Sequence, residues 1–184
     1  MSISRGERRD LYVAKVRADL ASLAARGLIT SGNAFSSVVF VKGLPNEAER
    51  TGAALLSGED GKALRAALGA LGYAPEDWCA VASCDAEGAP LGTALLREAV
   101  CALDPATLLA CDEPAAQALR EAYATELAAQ EDFDAAMLTP GQVVRILGMR
   151  VIALGGFEAA LADPRAKQVM WARLKQVPPL GEPY

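Results

Sequence analysis

The chain has no histidine among its 184 residues. Histidine titrates near neutrality, which makes it the commonest general base and metal ligand. Its absence excludes Ser-His and Cys-His nucleophiles, His-ligated zinc and an imidazole electrophile on a catalytic loop. Cysteine is sparse: Cys79, Cys84, Cys101 and Cys111 form no C-x-x-C pair, so their spacing suggests neither a metal cage nor a redox site. Cys79, Cys101 and Cys111 sit in apolar runs and read as small core hydrophobes. Aromatic residues make up only 5%, too few to interleave with basic side chains as on a nucleic-acid surface. No apolar stretch approaches the roughly 20 residues of a membrane span. The charged start of the chain lacks the apolar core of a secretory signal. The expectation is a cytoplasmic protein with no membrane attachment and no cofactor.

What is present is a substantial core. At 52% hydrophobic, 22% charged and mean hydropathy +0.18, the sequence implies one domain over residues 1–184, with a helical segment at 1–30 and an α/β core at 36–177. The net charge of −5 is unevenly spread. Met1–Gly27 holds six basic and three acidic residues, Leu28–Val144 six and seventeen, and Arg145–Lys175 six and two. A DNA-binding domain needs a basic footprint, and here the middle of the chain is acidic. If the first and last helices adjoin, Arg8, Arg9, Arg17, Arg165, Arg173 and Lys175 share one face.

Helical and strand patterns alternate. Tyr12, Val16, Leu20 and Leu23 mark an amphipathic helix over Arg8–Arg26, stopped by Gly27. Ser37–Val41, Trp78–Ser83 and Thr107–Cys111 are short apolar runs that predict buried strands. Helices are predicted at Gly61–Leu71, Leu91–Ala102 and Pro164–Val177, the last with Val169, Met170 and Leu174 inward. Asp112 is placed to cap another, with Ala116, Leu119, Tyr123 and Leu127 as its stripe. Gln130–Thr139 reads as a loop or short helical turn. Gln142–Leu147 and Arg150–Leu154 suggest a strand pair or a bent strand. Apolar strands between helices predict a three-layer α/β/α fold with a mainly parallel four-stranded sheet, Ser37–Val41 and Thr107–Cys111 in its centre.

In such folds ligands bind beyond the carboxyl ends of the strands. That rule selects the loops Lys42–Thr51, Ser83–Leu91 and Gly155–Glu158. Gly61-Lys62 is not a phosphate loop, because Leu56 occupies the required glycine position and Ala63 that of Ser or Thr.

Two stretches carry a resemblance. Val38–Glu49 (VVFVKGLPNEAE) resembles a strand followed by Gly-Glu-Ala-Pro-Gly and a later Glu. Asp163–Lys175 (DPRAKQVMWARLK) resembles a closing helix with Pro, Ala-Lys, Trp and Leu-Lys at matching spacing. Both patterns resemble motifs of the uracil-DNA glycosylase superfamily, most of all those of its small bacterial members, which usually carry an iron–sulfur cluster. From Val38 to Lys175 the order of elements is similar to that family, which implies its fold.

The same resemblance implies that the chemistry is lost. The family's water-activating acid falls on Gly43, its second glycine on Asn46, and the later Glu on Glu49. The base-stacking Phe falls near Leu55 and the pyrimidine-reading Asn near Ala82. The His-Pro-Ser loop becomes Gly156-Phe157-Glu158. The N-terminal Cys pair gives way to Leu23-Ala24-Ala25-Arg26, with only Cys84 near a ligand position. Base flipping costs a few kcal/mol, offset by stacking and readout that these residues do not supply. The implied crevice is lined by Lys42, Gly43, Pro45, Leu55, Ala82, Gly156, Phe157 and Glu158, and holds a small ligand or protein partner rather than DNA. The alternative is an active glycosylase or hydrolase using Asn46, Glu47 or Glu49 to position water.

Overall fold

The computed structural model describes residues 4–178; Met1–Ile3 of the charged start, and Glu182, lie outside them. The first helix, α1 (Arg5–Ala25), opens on a capping box in which Ser4 and Glu7 satisfy each other's backbone amides. Val16 and Leu23 are buried, whereas Tyr12 stays exposed beside Phe35.

Six strands form one sheet: β1 (Thr30–Gly32), β2 (Val38–Lys42), β3 (Cys79–Ala82), β4 (Thr107–Ala110), β5 (Val143–Ile146) and β6 (Met149–Ala153), in the order β1-β3-β2-β4-β6-β5. The inner four are parallel neighbours. They overlap the runs Ser37–Val41, Trp78–Ser83, Thr107–Cys111 and Arg150–Leu154, with the first and third in the centre as predicted. The sheet is nonetheless six-stranded and mixed, because an antiparallel strand closes each edge. Thr30-Ser31-Gly32 is polar and three residues long, so it carries no apolar signal and owes its strand state to pairing with β3. At the other edge, Leu147 (φ 50) and Gly148 (φ 88) turn β5 back onto β6, the left-handed pair that suits a right-twisted hairpin.

The strands bury both faces, as the near-continuous apolar runs require. Val39, Val41, Val81, Leu108 and Val151 pack with α1, α4 (Thr93–Leu103) and α5 (Glu113–Ala122). The alternate residues Val38, Phe40, Ala80, Leu109 and Ile152 pack with α3 (Glu59–Ala70), α8 (Phe157–Ala160) and α9 (Pro164–Leu174). Short helices α2 (Glu47–Arg50), α6 (Ala124–Ala128) and α7 (Phe133–Ala136) complete the chain. The first and last helices thus lie on opposite faces, and the shared basic face predicted for them does not form. Two side chains also differ from expectation. Cys101 is exposed, because the stripe of α4 runs through Leu96, Val100 and Leu103 on its other side. Val169 is 46% exposed, since α9 faces the sheet through Ala166, Met170 and Leu174. Among the described residues no helix is long and apolar enough to cross a membrane.

Candidate functional site

The carboxyl ends of β2, β4 and β6 open on a cavity of about 330 Å3 lined by Lys42, Leu44, Asp60, Leu64, Cys111, Asp112, Gly156, Phe157, Glu158 and Ala159. It is the crevice that the strand-end rule selects. Val38, Phe40 and Lys42 share one face of β2, so the apolar alternation of that strand ends by sending an ammonium under α3. There Lys42 Nζ donates to Asp60 Oδ2 at 2.6 Å and lies 2.8 Å from Glu49 Oε2, with all three side chains at 4% exposure or less. Glu158, half exposed at the mouth, approaches Nζ at 3.5 Å.

Burial by itself would lower the Lys42 pKa, but the hydrogen bonds to Asp60 and Glu49 more than reverse it, holding the group above the ordinary lysine value. Lys42 is therefore a fixed cation and cannot act as an amine nucleophile at neutral pH.

Two of the three candidate catalytic residues, Asn46 and Glu49, are occupied in holding the loop. Asn46 caps α2, its side chain accepting from the Glu49 amide while Glu49 Oε2 accepts from the Asn46 amide at 2.7 Å. Glu49 Oε1 accepts from the Leu56 amide at 2.6 Å, which steadies Leu56 in a left-handed backbone conformation (φ 57). Glu47 is exposed at the start of α2. Gly61 is explained by the same loop, because a Cβ there would lie 1.7 Å from the Leu56 carbonyl oxygen.

Asp112, anticipated only as a helix cap, ties two elements together. Its carboxylate accepts from Ala115 in the first turn of α5 and from the amides of Gly43 and Leu44 at 2.9–3.0 Å. The β2 loop is so close to α5 that a Cβ on Gly43 would meet Ala115 N at 2.5 Å and Asp112 Oδ1 at 2.6 Å. Position 43 has no room for a side chain.

The predicted crevice residues divide. Lys42, Gly156, Phe157 and Glu158 line the cavity. Pro45 and Leu55 line a neighbouring one of about 280 Å3, with Glu49 and Arg50. Ala82 is buried in the core. Asp60, Leu64, Cys111 and Ala159 were not anticipated; the one legible signal was a lysine closing the otherwise apolar run VVFVK.

The cysteines do not suit an iron–sulfur cluster, which needs converging thiolates. Cys79 packs on one face of the sheet and Cys84 and Cys111 on the other. Burial pushes the Cys79 thiol up to about 11 and Cys111 well above the ordinary value. Among the described residues no three His, Cys, Asp or Glu side chains gather as metal ligands. Comparison with protein-family models and with curated proteins finds no match.

Proposed function

We propose that this is a uracil-DNA glycosylase-like three-layer domain that does not excise bases, its crevice converted into a small site for a ligand or partner that is not an anion. The observation that carries this reading is the buried Lys42–Glu49–Asp60 cluster. Lys42 and Asp60 of this cluster line the cavity, and both oxygens of the Glu49 carboxylate are taken up by backbone amides and the ammonium, while Glu47 points to solvent outside the cavity lining. Neither Asn46 nor Glu49 has a group free to work as a general base, which must reach the proton it takes. Gly43, where the resemblance puts the water-activating acid, cannot carry one for steric reasons.

Charge supports the same reading. Asp60, Asp112 and Glu158 line the cavity together with a single lysine, and by the resemblance Glu158 falls where a phosphate or departing uracil anion would approach. Such a site repels the charge that a glycosylase must stabilise. The test is incubation of the purified protein with single- and double-stranded DNA containing uracil, followed by alkaline cleavage and gel analysis. The expected result is no strand scission above a no-protein control. Turnover that disappears in Asn46→Ala or Glu49→Ala would overturn the reading in favour of a hydrolase.

A further inference from the structure

Far from the crevice, β5 is the outer strand of the sheet. The Arg150 amide donates to the Ala106 carbonyl at 2.8 Å, so the cross-strand partners Arg145 and Arg150 form a non-hydrogen-bonded pair. In an antiparallel ladder this turns the amide and carbonyl of Arg145 outward, and by alternation those of Val143 too. Only Gln130 Nε2 reaches the Arg145 carbonyl, at 3.5 Å.

The same pairing puts two arginine side chains on one face of the sheet, directly across the strands from each other. Side chains approach most closely in non-hydrogen-bonded pairs, and like charges directly opposite are destabilising. Among the described residues neither arginine has a carboxylate partner, and Arg150 Nε is buried without a hydrogen bond. On the opposite face Val144 and Ile146 are buried with Ala135 of α7 and Leu138. That flank leaves Phe133, Met137 and Leu147 exposed at 75%, 46% and 73%. The edge therefore presents free backbone donors, a basic face and an apolar face.

We propose that the outer edge of β5 receives an extended segment of a partner protein as an added strand, with acidic side chains toward Arg145 and Arg150 and apolar ones toward Phe133 and Met137. Backbone hydrogen bonds supply affinity in this mode, and alternate side chains supply specificity. A second copy of β5 is the poorer occupant, because self-pairing would set Arg145 against its twin. The inference does not depend on what the crevice holds.

The test uses labelled peptides of about eight residues, a typical strand length, alternating Glu with Val or Lys with Val, titrated with the full chain by fluorescence anisotropy. The Glu-Val peptide should bind and the Lys-Val peptide should not. Arg145→Glu should weaken the first about tenfold or more and promote the second, a reversal that loss of folding cannot mimic. Val143→Pro removes an outward amide that β6 does not use, and should also weaken binding about tenfold while leaving the circular dichroism spectrum unchanged. Equal binding of both peptides, or none of either, overturns the proposal. So does self-association that Arg145→Glu abolishes, which would assign the edge to a second copy.

Discussion

Lys42 Nζ and Asp60 Oδ2 lie 2.6 Å apart with both side chains almost wholly buried, joining the last residue of β2 to the first turn of α3. Glu49 shares the same ammonium. A buried ion pair is not in itself stabilising, since desolvation can exceed the Coulombic gain, but removing one partner strands the other charge.

Lys42→Met should accordingly destabilise the fold by about 3–5 kcal/mol, read as a lower urea midpoint with an unchanged m-value. Because Glu49 and Asp60 would both be left without their cation, Lys42→Met combined with Asp60→Asn should be milder than Lys42→Met alone. If the single variant is as stable as the wild type, the cluster does not tie α2 and α3 to β2.

Stability should fall on the alkaline side. The folded Lys42 pKa is raised above 10.5, so its contribution is fully present below that value and is lost as pH rises through the folded pKa. Cys79, raised from 9.0 to about 11, acts in the same direction from a lower onset, because the unfolded thiol ionises first. Urea midpoints measured from neutral pH upward should decline from near pH 9, and Cys79→Ala should make that decline shallower without moving its onset, because the buried Cys111 thiol is raised as well. A midpoint flat beyond pH 10.5 would contradict both assignments.

Asp112→Ala removes the cap of α5 and the acceptor for Gly43 and Leu44 together. A lost cap costs about 0.5–2 kcal/mol, and the stranded loop amides should bring the total to the top of that range or above. Asp112→Asn keeps an acceptor oxygen and should recover about half, as measured by thermal unfolding.

Gly43→Ala should destabilise by about 1–3 kcal/mol through overpacking against α5. Gly43→Glu, which restores the acid that the resemblance places there, should be poorly soluble and gain no uracil release. A soluble, active Gly43→Glu protein would show that only the residue type, and not the backbone position, was lost.

Much of this molecule was legible in one dimension. Ser37–Val41, Trp78–Ser83 and Thr107–Cys111 are apolar and bounded by turn residues, so hydrophobic burial alone specifies them as inner strands. Asp112 before Glu113-Pro114 announces a helix start through local capping chemistry. The loops beyond the strand ends were likewise placed by topology, and one of their cavities holds Lys42, Gly156, Phe157 and Glu158. Each of these signals depends on periodicity or near neighbours.

What the sequence determined by itself is a histidine-free, α/β chain with a parallel strand core and a crevice at its carboxyl end. Tertiary structure alone decided the rest. Thr30-Ser31-Gly32 is a strand only because β3 offers an open edge. Lys42 becomes a buried cation only because Glu49 and Asp60, from two different helices, converge on it. Gly43 excludes a side chain only because α5 lies against it. Arg145 and Arg150 face each other only through the register of the hairpin. Each is a contact between residues separated in the chain, and its energy depends on distances that no local pattern encodes.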